Sequence, residues 1–399
     1  MYKSFNISDN IFYVGVNDRS KQLFENIWPL PKGVSYNSYL IRDEKVALID
    51  AVDICYSELF FNKVDAVLGK TPIDYLIINH MEPDHSGAIA WLVNRYPDIQ
   101  IVGNNRSADM LKGFYNISDN VLIIKDKESL SLGKCNLQFF LTPMVHWPET
   151  MMTYAQEYKT IFTGDAFGSF GTLDGAVLDW QTVPEKYEDE MIRYYSNIVG
   201  KYGSQVQVAL KKLADVEIET ICSTHGPVWT KNENLDKVVA LYDKLSRYDS
   251  DKGLVIAYGS MYGNVEQVAE VIAAEAAANG IKHIVLHNVS KSHNSEILRD
   301  IFKYRGLLIG SPTYNNKLYP GVESLLSAIQ NRAMKNRYFG YFGGFTWAGA
   351  AVKHLKEFAE NSGFEIVEPS VEIKQSLNES TFESAVALGR NMAEKLNNL

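Results

Sequence analysis

The chain has 399 residues, of which 46% are hydrophobic and 22% charged, and this balance is typical of a soluble globular protein of two domains. The net charge of −9 argues against nucleic acid and anionic membrane surfaces as partners, although a basic protein partner is compatible with it. The first residues, MYKSFNISDN, show no signal-peptide pattern, and no apolar run approaches the roughly 20 residues that span a bilayer.

The three cysteines, Cys55, Cys135 and Cys222, lie far apart in the chain. There is no C-x-x-C pair, which argues against an iron–sulfur cluster or a zinc ribbon. We interpret the cysteines as reduced structural thiols, and this usage, together with the missing signal pattern, predicts a cytoplasmic protein.

Residues 1–249 alternate short β-rich runs with loops that hold His and Asp, and this order predicts a layered α/β sandwich. Eight runs have the composition of strands: SYNSYLI, KVALIDA, DYLIINH, IQIVGNN, NVLIIKD, LQFFLTP, TIFTGDA and IETICSTH. Helical patterns follow several of them, as in GAIAWLVNRY and KYEDEMIRYYSNIVGKY.

A polar stretch at 245–253, LSRYDSDKG, predicts a linker and a second domain at 250–399. Beyond it the pattern is a regular alternation of strand and helix: GLVIAYGS, NVEQVAEVIAAEAAANG, KHIVLHNV, EILRDIFKY, GLLIGSPT, GVESLLSAIQ, RYFGYFGGF and AGAAVKHLKEFAENSG. Short connections between such elements predict a doubly wound parallel sheet.

Potential metal ligands cluster at strand ends in the first domain. The run NHMEPDHSGA at 79–88 contains His80, Glu82, Asp84 and His85, and three later strands are followed by His146, Asp165 and His225. A single such residue is usually structural, and Asp84 alone would be interpreted as a helix N-cap. Their recurrence at four strand ends of one domain instead predicts a metal site, because loops on a rigid scaffold hold such sites.

This arrangement resembles the metallo-β-lactamase fold, whose usual first motif is H-x-H-x-D-H, except that Glu82 stands at the second His. A carboxylate there makes the site harder and more anionic, which favours iron that cycles between two oxidation states over hydrolytic zinc. The pattern H-x-E-x-D-H, then His, Asp and His, is similar to that of flavodiiron proteins (A-type flavoproteins). The resemblance covers nearly the whole chain and includes GVSYNSYLI and TPMVHWPETMMTY.

The resemblance implies two iron ions. The ligands it implies are His80, Glu82 and His146 for one iron, and Asp84 and His225 for the other. Asp165 would bridge the two ions, since a carboxylate has two oxygens. His85 matches a position that is a ligand in some family members and a near neighbour in others, and both roles stay open.

Two aromatic residues near these ligands are further candidates. Trp147 directly follows His146, and Tyr195 lies in RYYSN. The resemblance implies that a Tyr near this position lines the substrate pocket, where its hydroxyl would donate a hydrogen bond or a proton to a reduced oxygen species. Core packing is the alternative role for both aromatic residues.

In the second domain the segment SMYGNV separates a predicted strand from a predicted helix, and it resembles the phosphate loop of flavodoxins, [ST]-x-[TY]-G-x-[ST]. Hydroxyls and backbone N–H groups at a helix N-terminus bind phosphate, and Gly263 permits a positive φ. The residues concerned are Ser260, Met261, Tyr262, Gly263, Asn264 and Val265. Val265 replaces the usual Thr and lacks its hydroxyl, a donor worth about 1.5–3 kcal/mol, so we expect weaker FMN binding.

Two further loops lie at the ends of predicted strands, where a doubly wound sheet binds its ligand. The candidate flavin contacts there are Ser311, Pro312, Thr313, Tyr314, Asn315, Phe345, Thr346 and Trp347. Aromatic rings in these loops could stack on an isoalloxazine. The family usually has Gly where Thr346 stands, and Trp347 taken alone would be a surface aromatic residue. The three loops together predict FMN.

The resemblance therefore implies an oxidoreductase that passes electrons from FMN to a di-iron centre and there reduces O2 to water, NO to N2O, or both. A hydrolase of the lactamase fold with an accessory flavodoxin domain is one alternative, and Glu82 argues against it. The second alternative is an electron carrier whose metal domain is vestigial, and the complete set of ligands argues against this alternative.

The resemblance also implies partners. It implies a head-to-tail homodimer, or a dimer of dimers, in which the FMN of one subunit meets the di-iron site of the other. No rubredoxin-like cysteine module follows the flavodoxin half. An external electron donor is therefore needed, either rubredoxin or, as in some methanogen members of the family, reduced F420.

Overall fold

The computed structural model describes residues 5–399, and the chain divides into two units, Met1–Asp243 and Lys244–Leu399. The division falls a few residues before the predicted boundary at 249. It lies inside a helix, Glu233–Ser246, so the irregular segment that replaces the predicted linker is confined to residues 247–250.

In the first unit the described strands form two mixed sheets and two small ribbons. The first sheet has the order β1-β2-β7-β8-β9-β10-β11, the second has the order β12 to β17, and β3–β6 and β4–β5 form the ribbons. The strands are β1 (Phe5–Asn6), β2 (Ile11–Tyr13), β3 (Val16–Asp18), β4 (Leu23–Phe24), β5 (Trp28–Pro29), β6 (Val34–Tyr36), β7 (Tyr39–Arg42), β8 (Val46–Ile49), β9 (Tyr75–Ile77), β10 (Gln100–Gly103), β11 (Val121–Ile123), β12 (Ser129–Ser131), β13 (Asn136–Leu141), β14 (Met151–Ala155), β15 (Thr160–Phe162), β16 (Thr220–Cys222) and β17 (Trp229–Thr230).

Apolar side chains join these two sheets. Tyr39 of the first sheet and Phe162 of the second are both buried, and their ring centroids lie 5.3 Å apart. The helices of this unit are α1 (Ser57–Leu68), α2 (Pro83–Ser86), α3 (Ile89–Arg95), α4 (Asn105–Tyr115), α5 (Glu185–Tyr194), α6 (Gly203–Leu213) and α7 (Glu233–Ser246). These layers confirm the predicted α/β sandwich.

The second unit is built on a parallel sheet with the order β19-β18-β20-β21-β22, in which β23 also pairs with β21. Its elements are β18 (Asp251–Tyr258), α8 (Asn264–Ala278), β19 (Ile284–Asn288), α9 (Asn294–Lys303), β20 (Tyr304–Pro312), α10 (Pro320–Asn331), β21 (Tyr338–Phe345), α11 (Ala351–Ser362), β22 (Glu365–Ile366), β23 (Val371–Lys374) and α12 (Glu379–Asn397). The predicted doubly wound sheet is confirmed.

The central strands of this sheet are apolar along their length because helices cover them. Residues 253–258 and 306–312 are buried, as is usual for a parallel sheet. Their side chains share a core with α8 and α12. Among residues 5–399, no helix combines the length and the apolar character that crossing a membrane requires.

Candidate metal centre and flavin cavity

The predicted ligands follow strands of both sheets of the first unit. The strand β9 leads into the segment that holds His80 and Glu82 and into the short helix α2. The strands β15 and β16 are parallel, with Phe162 opposite Cys222. The chain therefore leaves both strands at the same edge of the sheet, which brings Asp165 close to His225.

The first ligand group consists of His80, Glu82, His146 and Asp165, one atom of each lying within 4.8 Å of the others. Glu82 Oε2 lies 3.2 Å from His80 Nε2 and 3.1 Å from His146 Nε2. Asp165 Oδ2 lies 3.1 Å from His146 Nε2 and 3.5 Å from His80 Nε2. Two imidazole nitrogens and two carboxylate oxygens thus converge on one point.

The second group consists of Asp84, His85 and His225, again with one atom of each within 4.8 Å of the others. His85 Nε2 lies 3.2 Å from Asp84 Oδ2 and 3.0 Å from Asp165 Oδ1. His225 Nε2 lies 3.4 Å from Asp84 Oδ2 and 3.6 Å from Asp165 Oδ1. Asp165 therefore faces the first group with one oxygen and the second group with the other.

Neighbouring groups fix the histidine tautomers. His80 donates from Nδ1 to Glu149 Oε1 at 2.7 Å, and His225 donates from Nδ1 to the Ser35 carbonyl at 2.6 Å. Each ring consequently turns its Nε2 toward the other ligands of its group, and that nitrogen is the one that would bind a metal. Sequence reasoning missed Glu149. Its position, three residues after the predicted ligand His146, could have indicated that it lies near the metal site.

The carboxylates and imidazoles of the site shift each other's pKa values. Burial disfavours charge on Asp165, but the adjacent His85 and His80 hold its pKa well below the usual range. Burial likewise opposes charge on His85 and His146, yet the surrounding carboxylates raise the pKa of each to about 9. Without a metal, protons must balance the carboxylates, and a metal ion would displace those protons.

The donor set also fits a metal pair. Both carboxylate oxygens of Asp84, both ring nitrogens of His85 and Nε2 of His225 are buried without a hydrogen-bond partner among the described residues. Buried polar atoms rarely lack a partner, and a cation would serve as one for Asp84 and for both Nε2 atoms. Imidazole and carboxylate ligands without thiolate suit iron as well as zinc.

Aromatic side chains surround the ligands. The Trp147 ring meets the His80 ring edge-to-face at 5.2 Å. Tyr195 packs on Tyr242 with centroids 5.0 Å apart, whereas Tyr194 lies 5.2 Å from the His225 ring. Sequence reasoning selected Tyr195 and missed Tyr194. The helix α5 widens into a π-turn at this point, and such turns are frequent at functional sites.

A further carboxylate reaches the site from the β4–β5 ribbon. Glu25 and Asn26 form its turn with positive φ, and Glu25 Oε2 accepts a hydrogen bond from Trp28 Nε1 at 3.0 Å. Glu25 is exposed as a residue, but partial desolvation of its carboxylate and the neighbouring Glu82 carboxylate raise the pKa of Glu25 to about 7. Nothing in the sequence pattern indicated that this hairpin approaches the metal ligands.

The second unit contains an open cavity at the carboxyl ends of its strands, with about 440 Å³ of empty space that includes open solvent. Its wall includes nine of the predicted flavin contacts: Ser260, Met261, Tyr262, Asn264, Val265, Pro312, Thr313, Phe345 and Thr346. It also includes Gly344, at the end of the predicted strand β21, and Ile373 and Gln375, which sequence reasoning missed because β23 was not predicted. Gly263 has φ +91°, and its N–H donates to Ser260 Oγ at 3.1 Å, which shapes the loop before α8.

The remaining predicted contacts lie outside this wall. Ser311 is buried, and its hydroxyl donates to the Pro312 carbonyl and accepts from the Tyr319 N–H, so its side chain has an internal role. Tyr314, Asn315 and Trp347 are exposed, and the Trp347 side chain is 89% exposed. The Thr313 hydroxyl accepts from the N–H groups of Ala350 and Ala351, which ties the second predicted loop to the third.

Comparison with known proteins gives matches over both units. A family described as ODP family beta lactamase matches residues 34–226, and the flavodoxin family matches residues 256–389. A protein of Moorella thermoacetica named nitric oxide reductase is 31% identical over 395 residues, which is 98% of each chain. The helix-start segment at 260–265 and all the ligand positions lie within the matched regions.

Solved structures show the same architecture. Rubredoxin oxygen:oxidoreductase from Desulfovibrio gigas is 29% identical with a TM-score of 0.95, covering 99% of both chains. The flavodiiron protein from Giardia intestinalis is 25% identical with a TM-score of 0.95, covering 100% of this chain and 98% of the other. The similarity therefore extends over both units and includes both candidate sites.

Proposed function

Because the chain belongs to the flavodiiron protein family, we propose that it is an oxidoreductase that reduces O2 to water, NO to N2O, or both, with electrons delivered through FMN. The observation that carries this proposal is the pair of buried ligand groups that share Asp165. When bound, two iron ions and FMN would supply the redox chemistry.

We assign the ligands from the geometry. His80, Glu82 and His146 would hold one iron, and Asp84 and His225 the other. Asp165 would bridge them, in agreement with the way its two oxygens face the two groups. His85 would bind the second iron, because its Nε2 lies 3.2 Å from Asp84 Oδ2 and 3.0 Å from Asp165 Oδ1. One ion between these atoms could be bound by all three residues. The Trp147 ring would hold the His80 ring in place, and Tyr194 rather than Tyr195 would face the substrate.

The FMN phosphate would bind where the loop 260–265 enters α8, since the helix N-terminus presents N–H groups there. Phe345 and Thr346 would contact the isoalloxazine from the opposite wall of the cavity. Trp347, exposed beside this wall, is available to stack on the ring or on a second protein.

The electron donor would be rubredoxin, which the name of the Desulfovibrio gigas relative supports for that protein; reduced F420 is the other candidate. We also propose a head-to-tail homodimer, alone or as a dimer of dimers, in which one subunit's FMN serves the other's irons. The three free thiols are compatible with the cytoplasm as its location.

A steady-state assay with reduced rubredoxin tests the reaction. We expect anaerobic NO consumption to yield one N2O for every two NO, or O2 consumption to yield water without hydrogen peroxide. Hydrolysis of a lactam or thioester with neither gas consumed would favour the lactamase-type hydrolase instead. Two inactive variants, Asp165→Asn and a phosphate-loop variant, would recover activity on mixing only if electrons cross between subunits.

A further inference from the structure

A second cluster of reactive side chains lies in the second unit and includes none of the candidate ligands or flavin contacts. It consists of His287 on β19, Ser292 in the turn that follows, and Asp300 on α9. A hydroxyl, an imidazole and a carboxylate joined in this order by hydrogen bonds activate serine nucleophiles on several unrelated folds. Neither the metal centre nor the flavin cavity accounts for this arrangement.

The connection between β19 and α9 brings the hydroxyl to the imidazole. His287 lies next to the end of β19, opposite Ala257 of the neighbouring strand β18. The Asn288 carbonyl closes the turn that follows, because it accepts from the N–H groups of Lys291 and Ser292 at 2.8 and 2.9 Å. The turn therefore folds Ser292 back towards the His287 ring.

The imidazole bridges the other two groups. His287 Nδ1 lies 3.0 Å from Ser292 Oγ, and His287 Nε2 lies 2.8 Å from Asp300 Oδ2. Both distances are those that a nucleophile, its base and an orienting carboxylate require. His287 and Asp300 are buried, whereas Ser292 is partly exposed. The base is thus shielded from solvent while the nucleophile remains accessible.

The carboxylate orients the ring. Arg299 donates to both oxygens of Asp300, from Nε at 2.8 Å and from Nη2 at 3.0 Å. Burial disfavours charge on Asp300, but hydrogen bonds from His287 and Arg299 hold its pKa below the usual range. An ionised carboxylate can only accept a hydrogen bond, so Nε2 of the ring carries a proton. In the neutral ring Nδ1 is then the acceptor for the Ser292 hydroxyl.

The helix α9 favours negative charge at this turn. It begins at Asn294, two residues after Ser292, and has ten residues, so the positive end of its dipole lies at the turn. Lys291, the residue before Ser292, is exposed. Positive potential of this kind stabilises the oxyanion that forms when a serine attacks a carbonyl group.

We propose that Ser292 is a nucleophile that accepts acyl groups from small activated esters, with His287 as its general base and Asp300 as the positioning residue. Ser292 Oγ forms a bond to the carbonyl carbon while its proton passes to His287 Nδ1. The bond from that carbon to the leaving oxygen breaks, and the leaving oxygen takes the proton from Nδ1. The products are acylated Ser292 and an alcohol, and water releases the acid by the same route. The reaction transfers no electrons, so it is independent of the proposed reductase function.

Two probes test this reactivity on the full-length holoprotein: p-nitrophenyl acetate and a fluorophosphonate. We expect a burst of about one p-nitrophenolate per chain, counted as the difference between the wild type and Ser292→Ala. Peptide mapping by mass spectrometry should place the acetyl or phosphonyl group on Ser292 and distinguish it from Lys291. Unfolding in urea separates the three groups and should slow labelling of Ser292 about a hundredfold or more.

Variants identify the role of each group. His287→Gln should slow labelling about a hundredfold or more, which is the usual contribution of a general base. The matched control is Ser290→Ala, which removes another exposed hydroxyl of the same turn, 3.0 Å from the Tyr319 hydroxyl, and should label at the wild-type rate.

The positioning role of Asp300 has its own spectroscopic test. The amide of Asp300→Asn can donate to Nε2 of His287, which moves the proton of the neutral ring to Nδ1 and blocks acceptance from Ser292. We expect slow labelling of this variant together with the changed tautomer, observed by ¹⁵N NMR of the histidine rings. Labelling at the wild-type rate with an unchanged tautomer would reject this role.

Failure of both probes to modify Ser292 in the wild type would overturn the proposal. Equal labelling of Ser292 in native and urea-unfolded protein would also overturn it, and so would labelling of His287→Gln at the wild-type rate. If His287→Gln does not fold, the comparison of native with unfolded wild type decides.

Discussion

Substitutions of Glu149 test whether its carboxylate, by orienting His80, strengthens iron binding at the metal centre. Its Oε1 accepts from His80 Nδ1 at 2.7 Å and from the Met81 N–H at 2.9 Å, and its side chain is fully buried. Loss of such a partner typically lowers metal affinity about 10–100-fold, which corresponds to about 1.4–2.7 kcal/mol.

Two substitutions should lower the iron affinity by different amounts within this range. Glu149→Gln can still accept both hydrogen bonds and loses only the negative charge, so we expect the iron affinity to fall by about tenfold. Glu149→Ala leaves the His80 and Met81 donors without a partner and should approach about a hundredfold. The Glu149 carbonyl accepts from Asn104 Nδ2 in either case, which keeps the backbone anchored.

The assay is anaerobic competition between the apoprotein and a ferrous chelator of known affinity. Glu157→Gln is the matched control, since its exposed carboxylate also accepts from a backbone N–H, that of Asn136, at 2.7 Å. If both Glu149 variants bind iron within about twofold of the wild type, the proposed role of Glu149 in orienting His80 is refuted.

Other consequences can be measured separately. Asp165→Asn should lose both irons rather than one, as counted by elemental analysis, because each of its oxygens serves one ligand group. Iron binding should release protons at pH 7, and less as the pH rises through 9, because His85 and His146 have pKa values of about 9 without metal; calorimetry in buffers of different ionisation enthalpy detects this. Val265→Thr should bind FMN at least about tenfold more tightly by flavin fluorescence, since a hydroxyl donor worth about 1.5–3 kcal/mol returns to the phosphate loop. Arg337→Met should destabilise the second unit by about 3 kcal/mol or more in denaturant unfolding, because the buried guanidinium donates to five backbone carbonyls.

Strand periodicity predicted the fold of both units, because buried strands have a strong apolar signature. The recurrence of His, Asp and Glu at strand ends selected side chains that the structure brings together in two groups, because loops at strand ends converge; their role as metal ligands stays a prediction. The flavin loops are placed by the same rule, since a doubly wound sheet opens its crevice at the carboxyl ends of its strands.

Contacts set by tertiary structure were not predictable. Tyr194 and Tyr195 are adjacent and similar, and only the π-turn after α5 decides which ring meets His225. Glu25 reaches the site on a hairpin with no motif, and Gln375 lies in the cavity wall because β23 pairs with β21. Each depends on a packing geometry that local sequence does not encode.

The most direct test is an anaerobic stopped-flow measurement on purified protein whose metal and flavin contents are known. The reduced protein is mixed separately with O2 and with NO, and flavin reoxidation and products are followed. We predict two irons and one FMN per chain, with reoxidation by at least one gas much faster than that of free FMN. Zinc in place of iron, with reoxidation by either gas no faster than that of free FMN, would contradict the account.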